Sequence, residues 1–168
     1  HLGELTSRVK QTLAQTVSPL AAKYGYLRGK KLNAQVGWKP IVLVLGNYSS
    51  GKSTFINELI GSKIQETGQA PTDDCFTVIT GHDLEGGAGE GKVHEREGNV
   101  LLYDDQLPFT PLQRHGDRFA SHFRLKQVAE PWLRSLAIID SPGMHDSVAE
   151  KDRGYDYQEV IGDLARIA

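Results

Sequence analysis

Three features of this sequence predict an α/β fold with a mixed, mostly parallel sheet, preceded by an N-terminal helix. The apolar run Ile41 to Leu45 passes directly into a glycine- and serine-rich stretch, Gly46 to Ser53. A helical pattern follows from Thr54 to Ile60, with Phe55, Leu59 and Ile60 at helical spacing and Gly61 as its stop. A second short apolar run, Leu136 to Ile139, ends on Asp140. Strand, glycine loop and helix together open a βαβ unit.

The bulk properties agree with one compact unit. The chain has 168 residues, 39% hydrophobic and 24% charged, which is globular rather than disordered composition. A formal net charge of −2 supplies no bulk attraction to nucleic acid or to an anionic bilayer, so no nucleic-acid partner is expected. Cys75 is the only cysteine, which rules out an intrachain disulfide. The longest apolar stretch, Ile41 to Leu45, is too short to cross a membrane, and the N-terminus carries no charged-then-apolar leader pattern. A cytoplasmic location is the expectation.

Leu2 to Lys23 reads as a helix on the spacing of Leu5, Val9, Leu13, Val17 and Leu20, with Pro19 imposing a kink or starting a second short helix. Tyr24 to Pro40 has connector composition. Residues 1–39 are therefore read as a helical segment plus connector, and residues 40–168 as the α/β unit. Ile41 to Leu45 suits a strand buried on both faces of a parallel sheet. Cys75 to Thr80 reads as a strand, Gly86 to Gly91 as a loop tip, and Val100 to Tyr103 as a returning strand. Phe119 to Val128 reads as helical, ended by Glu130 and Pro131, and Tyr155 to Ala168 as a final helix through Val160, Leu164 and Ile167.

The chemistry is concentrated in Gly46-Asn47-Tyr48-Ser49-Ser50-Gly51-Lys52-Ser53, which fits G-x4-G-K-[ST] in the strand–loop–helix context the motif requires. A helix N-terminus offers unpaired N–H groups and partial positive charge to a phosphate. Gly46 and Gly51 let the backbone curl without a Cβ clash, Lys52 brings a cation to the β- and γ-phosphates, and the Ser53 hydroxyl is a ligand for Mg²⁺. The expected nucleotide-binding set is Asn47, Tyr48, Ser49, Ser50, Gly51, Lys52, Ser53 and Thr54, with Gly143 offering a backbone N–H to the γ-phosphate. Gly86 to Lys92 also reads G-x4-G-K, but Val93 replaces the hydroxyl residue, Glu90 brings a negative charge, and no buried strand precedes it. It reads as a loop.

Asp140-Ser141-Pro142-Gly143 supplies a second signal. An Asp at the end of an apolar strand can hold Mg²⁺, often through a water. By itself D-x-P-G is also an ordinary turn; about 90 residues after a phosphate loop it matches a γ-phosphate-sensing segment. Pro71-Thr72-Asp73-Asp74 lies where the other such segment sits. Thr72 either completes the Mg²⁺ shell or belongs to a surface turn. The histidines His82, His94, His115, His122 and His145 lack metal spacing. Trp38 and Trp132 read as packing residues.

These motifs, in this order, resemble the EH-domain-containing (EHD) ATPases of the dynamin superfamily. Gly46 to Ile56 is similar to their P-loop, Ala70 to Phe76 to their switch I, Ile138 to Gly143 to their switch II, and Arg153 to Tyr157 to a segment that follows it. The likeness runs from about Pro40 to the last residue. It implies a dynamin-type G domain of the P-loop NTPase class that binds a nucleoside triphosphate with Mg²⁺, ATP favoured over GTP, and hydrolyses it slowly. It also implies self-association across the nucleotide face and membrane remodelling through regions outside this chain, hence a peripheral membrane location for the full-length protein. Ser53, Thr72 and Asp140 are the implied metal residues, and Ser49, Lys52 and Thr72 the implied catalytic ones. Asp73 stands where the family pattern has a second Thr, and Ser141 where Thr is more usual. Met144 follows Gly143, so no Gln there orients water, and Tyr48, with an ordinary pKa of ~10, is no base at neutral pH. The Asn/Thr-Lys-x-Asp base-recognition motif is absent, so the chain reads as the N-terminal part of a G domain, expected to be a poor enzyme and weak membrane binder alone. Three readings compete: a membrane-remodelling NTPase, a nucleotide-gated binding module with negligible turnover, and a non-enzymatic relative. Intact Lys52, Ser53 and Asp140 count against the third.

Overall fold

The computed structural model describes residues 2–25, 38–65, 74–82, 93–144 and 153–168. Thr72, Asp73, the Gly86 to Lys92 stretch and His145 lie outside the described residues.

Helix α1 (Leu2–Thr12), a π-helical turn (Leu13–Val17) and α2 (Ser18–Lys23) follow one another without a break, so the irregularity lies in the turn before Pro19. Among the described side chains of this segment none is buried, and Leu5, Val9, Val17 and Leu20 stand exposed. The α/β unit then runs β1 (Ile41–Val44), α3 (Lys52–Ile60), β2 (Phe76–Gly81), β3 (His94–Glu97), α4 (Gly98–Leu101), a 3-10 turn (Thr110–His115) and α5 (Gly116–Ala120). It continues with β4 (Phe123–Val128), a second 3-10 turn (Pro131–Arg134), β5 (Ala137–Asp140) and α6 (Tyr157–Ile167).

The five strands form one mixed sheet in the order β1-β5-β2-β4-β3. β1 is parallel to β5 and β2 is parallel to β4, while β2 meets β5 and β3 meets β4 antiparallel. Strand alternation sends side chains to two faces. Phe76, Val78, Phe123, Leu125, Ala137 and Ile139 join Tyr157, Val160 and Leu164 of α6 in the larger core. Ile79, Val128 and Ile138 face the other way, onto Ile56 and Ile60 of α3. Phe76, Phe119 and Phe123 are at most 2% exposed, each contributing about 1.5–3 kcal/mol through burial. α6 begins at Asp156, whose side chain accepts from the Glu159 N–H at 2.9 Å.

Three expectations are corrected. Phe119 to Val128 is not a helix: α5 ends at Ala120 and Phe123–Val128 is the strand between β2 and β3. The four-residue step from Phe119 to Phe123 fits a helix, but it fits alternation equally, and pairing on both edges decides for the strand. Val100 to Tyr103 is not the returning strand; α4 and a turn occupy it, and the strand is the charged tetrad His94–Glu97. That strand is mostly exposed at the sheet edge, where charge guards against further pairing and erases the apolar signal. Ile41 to Leu45 is not buried on both faces: Val42 is 48% exposed, because α3 covers this face only toward the strand's far end, at Val44.

Candidate functional site: a phosphate loop against an acidic strand end

The parallel pairing of β1 with β5 brings Val44 level with Asp140, so the loop leaving β1 and the carboxylate ending β5 emerge side by side. The loop turns through Ser49 at φ 55° and Gly51 at φ 85°, left-handed conformations that glycine adopts without strain. Gly51 precedes α3, and the Phe55 N–H donates to its carbonyl at 2.8 Å as the first helical bond. The N–H groups of the first helical turn have no partner within the helix, which is the anion-binding arrangement. Asn47, Tyr48, Ser49, Ser50, Gly51 and Thr54 are all exposed around it.

Lys52 folds back over the loop. Its Nζ donates to the Gly46 carbonyl at 3.0 Å and the Asn47 carbonyl at 2.8 Å. Burial pushes its pKa below the ordinary lysine value, and the charge of Asp140 pulls it part of the way back. The ammonium is thus stationed at the mouth of the curl.

Ser53 Oγ donates to Asp140 Oδ2 at 2.9 Å, joining the two expected metal residues directly. Asp140 is 4% exposed, and its other oxygen, Oδ1, is buried with no hydrogen-bond partner. A bare carboxylate oxygen beside a serine hydroxyl suits a hard cation with its waters. The residues present therefore fit Mg²⁺.

Gly143 lies on the other wall. The Met144 N–H donates to the Gly46 carbonyl at 3.2 Å, and the Tyr48 N–H to the Met144 carbonyl at 3.4 Å, stitching the segment after β5 to the phosphate loop. The Ser141 hydroxyl donates to the Val44 carbonyl at 2.8 Å, so Ser suffices where Thr is more usual. The structure brings together Asn47, Tyr48, Ser49, Ser50, Gly51, Lys52, Ser53, Thr54, Asp140 and Gly143; Thr72 lies outside the described residues.

Several residues that shape this site escaped the sequence reading. Asn57 Oδ1 accepts from the N–H groups of Ile64 and Gln65 at 2.9 and 2.8 Å, and its Nδ2 donates to the Gln65 carbonyl at 2.8 Å. Gln65 Nε2 donates to Asp140 Oδ2 at 2.8 Å, and Lys126 Nζ donates to Gln65 Oε1 at 2.9 Å. Arg153 Nη2 donates to the Gly143 carbonyl at 2.7 Å and lies 3.4 Å from Asp74 Oδ1, with its guanidinium 4.7 Å from the Tyr157 ring centre. The Tyr157 hydroxyl donates to the Pro142 carbonyl at 2.9 Å. The one available signal was parity: on β4, Lys126 shares the face of Val128, which is the face of Asp140 and α3. Trp38 packs, as read, edge-on to Phe109 at 5.3 Å.

Residues 42–166 match the model of the Dynamin family. EH domain-containing protein 2 of Homo sapiens is 33% identical over 163 residues, 94% of this chain and 28% of that protein. EH domain-containing protein 1 of Homo sapiens is 35% identical over 159 residues, 91% of this chain and 28% of that protein. The chain thus spans little more than a quarter of the length of these relatives. A solved chain of an oligomerised bacterial dynamin pair, described as sensing and tethering membranes, aligns over 87% of this chain and 26% of its own, with TM-score 0.46 and 15% identity. Among the described residues, no helix is long and apolar enough to cross a membrane.

Proposed function

The chain belongs to the dynamin family, and on that premise we propose that it binds a nucleoside triphosphate with Mg²⁺ and, in its full-length protein, hydrolyses it slowly to drive self-association and membrane remodelling. The observation that carries the reading is the contact of Ser53 with Asp140 beneath a loop already holding Lys52 at its mouth. Ser53 and Asp140 would hold the metal, with Thr72 as a further ligand, and Mg²⁺ bound there would supply charge neutralisation for the triphosphate. The loop N–H groups and Lys52 bind and orient the phosphates, and the N–H of Gly143 meets the γ-phosphate. Catalysis is electrostatic positioning, with Ser49 and loop backbone groups taking the part of a water-orienting side chain.

The likeness to EHD proteins favours ATP over GTP. The position after Gly143 is Met144, whose side chain cannot orient a water. That observation supports slow turnover, and it equally supports a nucleotide-gated binding module; single-turnover hydrolysis separates the two. The test of the binding reading is calorimetry with Mg·ATP and Mg·GTP on the full-length protein. Lys52→Ala is expected to weaken triphosphate binding by about 10- to 100-fold, the worth of a lost charged hydrogen bond. Unchanged affinity overturns the site assignment, and a clear preference for GTP overturns the choice of base.

A further inference from the structure

We infer that Gln65 is a positioning residue for the Asp140 carboxylate, itself held in register by Lys126 and Asn57, and that it sets how tightly the site takes Mg²⁺. This rests on the reading of Ser53 and Asp140 as the metal residues.

The chemistry of the three side chains admits one orientation. A lysine ammonium only donates and a carboxylate only accepts. Gln65 lies between them, its Oε1 2.9 Å from Lys126 Nζ and its Nε2 2.8 Å from Asp140 Oδ2. The amide is therefore oriented by its neighbours, and it joins a buried cation to a buried anion that do not meet directly. Gln65 is 2% exposed and Lys126 7%, so neither faces enough water to supply the lost hydrogen bonds.

The backbone beneath Gln65 is fixed as well. Asn57, on the same helix as Ser53, closes three hydrogen bonds on Ile64 and Gln65. Lys126 adds a fourth to the Ile64 carbonyl at 2.9 Å. The result for Asp140 is asymmetric. Oδ2 takes two donors, Ser53 and Gln65, and Oδ1 takes none. Two donors on one oxygen hold the carboxylate plane and leave the other oxygen bare. Groups that orient a metal's ligands in this way typically govern affinity by 10- to 100-fold.

The test uses the full-length protein and ribose-labelled fluorescent ATP and GTP, titrated with Mg²⁺ and, separately, in EDTA. Gln65→Met removes both hydrogen-bonding ends at nearly the same volume. It is expected to raise the Mg²⁺ concentration for half-maximal tightening about 10- to 100-fold, with affinity in EDTA kept within about twofold. An unchanged Mg²⁺ midpoint, or equal losses with and without Mg²⁺, overturns the inference. Thermal melting in EDTA reports whether the variant folds. Should Gln65→Met not fold, Lys126→Met carries the test: a shift in the Mg²⁺ midpoint in the same direction supports the inference, and no shift overturns it. If the wild-type protein shows no Mg²⁺-dependent binding, the underlying metal reading fails instead, and that outcome is distinct.

Discussion

Gly143 lies against Tyr48 so closely that a Cβ on Gly143 would be 2.6 Å from the Tyr48 Cα and 2.8 Å from its nitrogen. The atoms in the way are backbone, which cannot swing aside. The phosphate loop and the segment after β5 are therefore in contact before any ligand arrives. Gly143→Ala is expected to destabilise the protein by about 1–3 kcal/mol, as overpacking does, and to weaken triphosphate binding. Thermal melting with calorimetry checks both; a variant as stable and as tight-binding as the wild type would mean that this approach is not needed.

Ser53→Ala removes the hydroxyl that Asp140 accepts from. Mg²⁺-dependent nucleotide binding is expected to fall by at least about tenfold, while binding in EDTA changes less, because the role proposed for Ser53 is to hold the metal and not a phosphate. Equal losses in both conditions would move the metal elsewhere. Thr72→Ala is expected to lower turnover more than binding, read by single-turnover assay.

Arg153 and Tyr157 fasten the segment after β5 from behind. Arg153→Ala is expected to cost about 1.5–3 kcal/mol, the range for a hydrogen bond to a charged group. Tyr157→Phe loses only the bond to Pro142 and should cost about 1 kcal/mol. Urea unfolding of the two variants checks the order; a larger loss for Tyr157→Phe would show the tyrosine hydroxyl, not the cation, to be the fastening.

Asp163 on α6 gathers Arg114 Nε at 2.6 Å and His115 Nε2 at 3.0 Å. Burial pushes its carboxyl upward, but the hydrogen bonds from His115 and Arg114 more than offset this and hold it below the ordinary carboxylate range. A depressed carboxyl adds stability above its unfolded pKa of ~3.9, and that stability is lost as pH falls through the folded value. Asp163→Asn should therefore lower stability at neutral pH and flatten the acid side of the stability profile. Arg114 is half exposed, so the larger share belongs to the His115 contact. An unaltered acid limb in melting curves at stepped pH would remove Asp163 from this role.

The loop, its flanking strand and helix, and Asp140 at the end of a later strand are legible from the residues alone. Each is a contiguous pattern whose conformation is set locally: glycines where the backbone must curl, an apolar run where a strand is buried, helical spacing after it. Family likeness could be read from the same runs, because a loop that wraps a phosphate leaves few choices of residue. That Phe123–Val128 is a strand emerges from its place in the sheet, since a four-residue apolar step satisfies both periods and pairing on both edges breaks the tie. The sheet alone reveals His94–Glu97, whose charges suit an edge and carry no apolar alternation. The Gln65 contacts to Lys126 and Asp140 span 61 and 75 residues. No local pattern marks such partners, because a buried amide is chosen by what folding places on either side of it.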